Sequence, residues 1–300
     1  MATKLSIEEF LDYLRLERNY SLKTVQSYGD DLVKFESFFK NFDDSLSWET
    51  IDADTIRDWM ESMMDEGANA SSVCRRLSAL RSFFRYALAQ GIILHDPAHT
   101  VTGPKRGKPL PKFVREADME ALLDASMWED NIKDVRARTI ILIFYETGLR
   151  VSELAGLDDN MIDLQTEQLR VTGKRNKQRI VPFGDELKSE IERYMSLRDR
   201  CIERLPEAGG AFLVNDKGKR MSVSQIQYLV GKQLSRVTTQ KKRSPHVLRH
   251  TFATAMLNHE AGIESVKKLL GHEKLSTTEI YTHTTFEQLK KVYKKAHPRA

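Results

Sequence analysis

Residues 102–112 read TGPKRGKPLPK, and no other stretch limits the possible folds as much. Its three prolines each fix φ and remove a backbone donor, so no helix can run through it. Its two glycines and four basic residues leave few side chains to bury. A chain of 300 residues interrupted there has to build two cores, and each flank is long enough to hold one. The sequence therefore predicts a first domain over residues 1–104, a basic linker over 105–112 and a second domain over 113–300.

The first flank reads as helical throughout. Leu5–Asn19 places Leu5, Phe10, Leu11 and Leu14 at helical spacing, and Ser21, a good N-cap, opens a helix to Asn41. Asp52–Glu66 lines up Ile56, Trp59, Met60 and Met63 on one face. Asn69–Gln90 spaces Val73, Leu77, Leu80, Phe84 and Ala87 by threes and fours until Gly91 ends it. The second flank begins with helices near 115–125, 130–147 and 150–157. The period then changes, and 161–164, 168–172 and 178–182 alternate as short strands around a tight basic turn at 173–177. Helices resume near 184–204, 222–237, 246–258, 262–270 and 286–296. The expected fold is mainly α with a small antiparallel sheet, in two domains, the first a four-helix unit.

Composition narrows the functional classes. Hydrophobic residues at 40% and charged residues at 30% suit a soluble globular chain. No apolar run approaches the roughly 18 residues that span a bilayer, so no membrane partner is expected. The N-terminus lacks the apolar core of a signal peptide, which points to the cytoplasm. Cys74 and Cys201 stand far apart, outside any CxxC pair, as thiols in a reducing compartment do. Charge is uneven: residues 1–100 carry 11 Lys/Arg against 17 Asp/Glu, so the overall net of +4 leaves the rest strongly basic. Such a bias favours a polyanionic partner without identifying one. Within the acidic first domain, Ser71, Ser72, Arg75 and Arg76 crowd the start of the fourth helix, with Arg81 and Arg85 further on. Serines, arginines and a helix N-terminus are groups that hold phosphates, although a solvated face has the same composition.

Four clusters in the second domain carry chemistry-bearing side chains. In Thr147-Gly148-Leu149-Arg150-Val151-Ser152-Glu153, a glycine break puts Arg150 at a helix start with Glu153 three residues on, either to orient the guanidinium or as a surface ion pair of little worth. Gly173-Lys174-Arg175-Asn176-Lys177-Gln178-Arg179 makes a basic hairpin tip, solvated or inserted in a nucleic-acid groove. In His246-Val247-Leu248-Arg249-His250, His246 and Arg249 share a helix face. His246 and His250 also have metal-ligand spacing, but no carboxylate lies between them and a third ligand would have to come from His272 or His283. The fourth cluster is Leu269-Leu270-Gly271-His272, followed by Tyr281-Thr282-His283.

In this order and at these spacings, TGLRVSEL, GKRNKQRIVPFG, PHVLRHTFAT, LLGH, YTH and the ending AHPRA resemble the tyrosine recombinase (lambda-integrase-like) family along essentially the whole chain. The resemblance is strongest to its Xer subfamily of bacterial chromosome-dimer-resolving recombinases. It implies a catalytic set of Arg150, Lys174, His246, Arg249, His272 and the nucleophile Tyr281, while the basic helix start, linker and hairpin tip offer Ser72, Arg75, Arg76, Lys105, Arg106, Arg175 and Lys177 as candidate DNA contacts. Arg175 stands where relatives often have glycine, which stiffens the hairpin tip and leaves Lys174 in place. The resemblance further implies a double-stranded DNA recombination site as substrate. It also implies a homo- or hetero-tetramer with a second tyrosine recombinase on two DNA sites, open to activation by a septum-associated DNA translocase.

The residue types suit that reaction. Charge builds on the non-bridging phosphate oxygens during cleavage, and Arg150 and Arg249 offer permanently charged forks of donors to them. His272 adds a hydrogen bond. Tyr281, with an ordinary pKa of about 10, has to shed its proton as it attacks, and His246 is a suitable base. Lys174 is the candidate acid for the leaving 5′-oxygen. The 3′-phosphotyrosine keeps the bond energy, so the expectation is a reaction needing no cofactor, neither ATP nor a metal. A type IB topoisomerase, a mobile-element integrase, a catalytically silent DNA-binding protein and a metal-dependent phosphodiesterase are the competing readings. The terminal helix, with Phe286, Leu289 and Val292 on one side and Tyr293 beside them, could fold back on its own domain; the resemblance implies that it instead docks on a neighbouring subunit and so couples nucleophile presentation to assembly.

Overall fold

The structure, a computed structural model, describes residues 5–105, 107, 112–173, 178–271 and 283–299, with backbone alone over 283–287. Arg106, Lys174, Arg175, Lys177, His272 and Tyr281 lie outside the described residues. The chain divides into two compact units, Met1–Pro109 and Leu110–Ala300.

The first unit is built from α1 (Ile7–Asp12), α2 (Leu22–Phe42), α3 (Ala53–Asp65) and α4 (Ala70–Ala89). The caps sit where the sequence places them. Ser21 accepts from Thr24 N–H, Asp52 from Thr55 N–H and Asn69 from Ser72 N–H. The inward faces supply an aromatic core in which Phe35 meets Trp59 at 4.9 Å and Trp48 meets Phe83 at 4.6 Å between ring centroids. One element differs from expectation. The segment to Asn19 is not a single α-helix, because Tyr13–Glu17 forms a π-type turn in which Arg18 N–H reaches back to Tyr13 O. The wider turn lets two adjacent residues serve the interior: Leu14 is buried while Tyr13 packs on Tyr86 at 4.9 Å.

The second unit is organised around α6 (Ile132–Thr147), whose Val135–Ala137 and Thr139–Thr147 are all buried. A helix covered on every side has lost the amphipathic stripe of a surface helix. Around it lie α5 (Glu116–Leu123), α7 (Val151–Ala155), α8 (Asp185–Cys201), α9 (Val223–Leu234), α10 (Pro245–Asn258), α11 (Ile263–Leu270) and α12 (His283–Ala296). Strands β1 (Ile162–Asp163), β2 (Gln168–Thr172) and β3 (Gln178–Pro182) pair antiparallel in the order β1-β2-β3. Leu169 lies opposite Val181 and Val171 opposite Arg179. All four of these side chains are buried, so one face of the ribbon looks inward at every second residue. The fold is thus mainly α with a small antiparallel sheet, as the patterns predict. Among the described residues no helix is long and apolar enough to cross a membrane.

In the single chain the apolar face of α12 is seated on its own unit, where Leu289, Tyr293 and Ala296 are buried with Phe252 and Met256 of α10 and Val266, Leu269 and Leu270 of α11. Polar contacts hold the same arrangement. Tyr293 OH donates to Glu146 at 3.1 Å, and Lys290 and Lys294 reach Glu167 at 3.2 and 3.5 Å.

Candidate active site

The end of α6 starts the site. Gly148 closes that helix at φ 58°, in the left-handed region, and a Cβ there would come within 2.5 Å of Phe252 Cδ1. The chain then passes buried Leu149 and starts α7 at Arg150, whose backbone is extended as an N-cap requires. Glu153 reaches back to that cap, accepting Arg150 N–H at 2.7 Å on Oε2 and Arg150 Nη1 at 2.9 Å on Oε1. The Glu153 side chain is only 2% exposed, which rules out the weak surface pair that the spacing allowed. Arg150, at 36% exposure, keeps a face toward solvent.

A second guanidinium meets the same carboxylate. Arg179 on β3 donates from Nη1 to Glu153 Oε1 at 2.6 Å and from Nη2 to Oε2 at 2.9 Å, and its Nε donates to Leu269 O at 3.1 Å. Burial pushes the Glu153 carboxyl up. The Arg179 fork, and Arg150 after it, outweigh burial and hold it below the usual carboxylate range.

The third guanidinium comes from α10. Ser244 and Pro245 begin this helix, and Arg249 lies one turn in, directed away from solvent. Its Nη1 donates to Gly148 O and its Nη2 to Leu270 O. Burial lowers Arg249 to about 10, with the neighbouring charge of Arg150 adding to the effect and Glu153 opposing it. Arg249 therefore stays a cation at neutral pH. His246, one turn earlier, is exposed and stacks edge-on with His250 at 4.8 Å. Partial burial lowers its pKa, followed by the charges of His250, Arg249 and Arg150. The lowered pKa favours the neutral imidazole, whose ring nitrogen can accept a hydrogen bond or a proton.

All three arginines converge on the C-terminus of α11. Leu269 O accepts from Arg179, Leu270 O from Arg249 and Gly271 O from Arg150, the last at 3.0 Å. The final carbonyls of a helix have no partners within it and carry its negative end, so guanidinium donors stabilise them. Gly271 caps α11 at φ 64°, and a Cβ there would stand 3.2 Å from the Arg179 side chain. Among the described residues the site sets three guanidiniums against one carboxylate, a net positive charge. His272 follows directly in sequence, and Tyr281 lies ten residues beyond Gly271.

Of the residues singled out in the sequence, the structure brings Arg150, His246 and Arg249 together. Ser72, Arg75 and Arg76 belong to the first unit, near the start of α4. There Arg75 Nη2 donates to Asp31 at 3.0 Å and Nη1 to Ser27 at 2.7 Å, while Arg76 approaches Asp31 at 3.7 Å and donates to the Met63 sulfur. Asp31 is 3% exposed, so a buried carboxylate anchors this basic surface, with Arg75 still 46% exposed. Lys105 is exposed. Sequence reading missed Arg179 as part of the site by grouping it with the hairpin tip. Period-two alternation back from buried Val181 points it inward. Among the described residues no group of three or more His, Cys, Asp or Glu is placed to hold a metal ion.

Comparison with known proteins agrees along the whole length. A family model described as the phage integrase family matches residues 112–288, and one described as the phage integrase N-terminal SAM-like domain matches 7–91. Tyrosine recombinase XerC of Pelotomaculum thermopropionicum is 38% identical over 301 residues, covering 98% of this chain and 98% of that protein. The protein of the same name from Listeria monocytogenes serotype 4a is 36% identical over 293 residues, covering 98% and 97%. Among solved structures, the XerH site-specific recombinase bound to palindromic difH substrate in a post-cleavage complex shares the fold, with a TM-score of 0.72 at 22% identity, covering 95% of this chain and 83% of that one. A lambda integrase (75–356) dimer bound to a core site does so with a TM-score of 0.68 at 17% identity, covering 91% and 97%.

Proposed function

Because the chain belongs to the phage integrase family, and within it to the Xer-type tyrosine recombinases that transfer DNA strands through a phosphotyrosine, we propose that it resolves chromosome dimers at a dif-type site during cell division. The observation that carries the active-site part is the meeting of Arg150 and Arg249 at the end of α11, directly before His272. Two permanent cations on adjoining elements match the two non-bridging oxygens of a scissile phosphodiester. Their donors are held by backbone carbonyls in an orientation that needs little reorganisation. Tyr281 attacks phosphorus in line and its proton passes to His246, whose lowered pKa leaves it free to accept it. His272 hydrogen-bonds the same phosphate, and Lys174 protonates the leaving 5′-oxygen. The products are a 3′-phosphotyrosine and a 5′-hydroxyl. Attack by the partner strand's 5′-hydroxyl reverses the chemistry and joins the exchanged strands, and two rounds pass through a Holliday junction.

In this reading residues 1–104 grip DNA, with Ser72, Arg75 and Arg76 on phosphates. The linker 105–112 tracks the backbone through Lys105 and Arg106, and 113–300 form the catalytic domain, with Arg175 and Lys177 reaching the duplex. Four subunits, identical or shared with a second recombinase, assemble on two sites, and a septum-associated DNA translocase activates them. XerH was solved with a difH substrate, which supports a dif-type site for a chain of the same fold.

The experiment is a gene disruption in the host. Dimers arise from an odd number of crossovers, so the reading predicts unsegregated nucleoids in dividing cells, suppressed when homologous recombination is also removed. Normal segregation in recombination-proficient disrupted cells would overturn the chromosomal role.

A further inference from the structure

Glu153 faces an electrostatic difficulty. It fixes Arg150 through both the backbone N–H and Nη1, yet a buried carboxylate in contact with a guanidinium also cancels the charge that phosphate binding requires. We propose that Arg179 is a positioning residue that resolves this: by pairing bidentately with Glu153 it lets the carboxylate orient Arg150 without neutralising it, and it ties the end of α11 to the same point. The inference rests on the assignment of Arg150 as a phosphate-binding residue.

The geometry supports both halves. Arg179 and Glu153 make two parallel N–H···O bonds, at 2.6 and 2.9 Å, and both side chains are shielded from water, at 7% and 2% exposure. Fork-to-fork pairing of this kind is the strongest form of guanidinium–carboxylate contact. Arg150 makes a single side-chain bond to Glu153, at 2.9 Å, and is the more exposed of the two arginines. The carboxylate's charge is thus matched chiefly by Arg179, and the charge left over belongs to Arg150, the cation with a face to solvent. The remaining donor of Arg179, Nε, holds Leu269 O at 3.1 Å, and its side chain lies so close to Gly271 that a Cβ there, at 3.2 Å, would press on it. Arg179 also lies two residues after Lys177. One side chain therefore links β3, the start of α7 and the last turn of α11. An arginine kept only for stability would satisfy Glu153 just as well and would affect folding alone.

The test measures single-turnover formation of the covalent adduct on a nicked suicide DNA substrate, together with DNA affinity by fluorescence anisotropy, on variants shown to be folded by circular dichroism. Arg179→Met is expected to slow cleavage on the order of 30-fold or more with DNA affinity within about threefold of wild type, because the loss falls on transition-state charge. Adding Glu153→Gln removes the unmatched carboxylate and is expected to restore cleavage at least about tenfold over Arg179→Met alone, which simple loss of packing would not do. Arg179→Lys keeps the charge but loses the fork to Glu153 and the bond to Leu269 O, so it should cleave faster than Arg179→Met and slower than wild type. Should Arg179→Met not fold, cleavage by the double variant within about tenfold of wild type carries the same conclusion. Folded Arg179→Met cleaving within about threefold of wild type, or a double variant no faster than the single one, overturns the inference. Arg150→Ala separates the layers. If it cleaves like wild type, the underlying assignment has failed and the inference with it. If it is dead while Arg179→Met is fully active, only the inference has failed.

Discussion

Replacing Glu146 with glutamine probes how the last helix is anchored beside the site. Glu146 Oε2 accepts Gly184 N–H at 3.1 Å and Tyr293 OH at 3.1 Å, and its Oε1 is buried with no hydrogen-bond partner. Burial pushes the carboxyl up from 4.5 to about 8, more than the two hydrogen bonds can offset. A raised native value means that the folded protein keeps a proton which the unfolded chain releases above pH 4.5. Stability from this group is complete below that pH and declines up to about 8, at about 1.4 kcal/mol per pH unit. The resulting cost is about 3 kcal/mol at pH 7 and under about 1 kcal/mol at pH 5. Glutamine offers an oxygen to the same donors and has no proton to take up. Its amide nitrogen takes the place of Oε1 and brings a cost of its own that does not change with pH, so Glu146→Gln is expected to be more favourable to the stability of the second unit at pH 7 than at pH 5 by about 2–3 kcal/mol. His297, which burial lowers to about 4, destabilises the fold as pH falls below its ordinary 6.5, but it is common to both proteins and cancels in the difference. The assay is urea unfolding at the two pH values, read by amide exchange in α6 peptides so that the second unit is followed apart from the first. Equal effects at both pH values, or a larger benefit at pH 5 than at pH 7, would refute the reasoning.

Three further substitutions probe other parts of the structure. Gly148→Ala combines a left-handed backbone with a Cβ 2.5 Å from Phe252 and 2.8 Å from Leu270. It should destabilise the second unit by about 2–4 kcal/mol in the same unfolding assay, and a loss below about 1 kcal/mol would contradict this. Asp31→Ala leaves Arg75 and Arg76 without their shared buried carboxylate and should destabilise the first unit by about 2–3 kcal/mol. The fluorescence of Trp48 and Trp59, both in that unit's core, reads it, and an unchanged transition would refute it. Arg249→Lys cannot span Gly148 O and Leu270 O together. It should lower the rate of adduct formation by about 100-fold or more while DNA affinity changes less than about tenfold, and near-wild-type cleavage would count against its role.

The sequence carried the fold well because its signals were local. Ser21, Asp52 and Asn69 each cap the helix they announce. The change of period after Met161 marks the three strands. Arg150, His246 and Arg249 were legible because their spacings and glycine breaks form motifs. Non-local partnerships were not. That Glu153 would be buried against a second arginine depends on β3 lying beside α7, and that Asp31 would anchor Arg75 depends on α2 packing against α4. The seat of α12 shows a different limit. Its apolar face was plain in the sequence, but the surface of α10 and α11 on which it lies in the single chain is assembled only in the folded unit.

The central claim is that Tyr281 is the nucleophile of a transesterification needing no cofactor, and trapping its product tests this most directly. A suicide substrate nicked beside the cleavage position, incubated in EDTA with wild type and with Tyr281→Phe, separates the possibilities. The expected result is an SDS-resistant protein–DNA adduct from wild type alone, with a free 5′-hydroxyl on the released strand and the 3′-phosphate mapped to the peptide containing Tyr281. An adduct of equal yield from Tyr281→Phe, or one that forms only when a divalent metal is added, would contradict it.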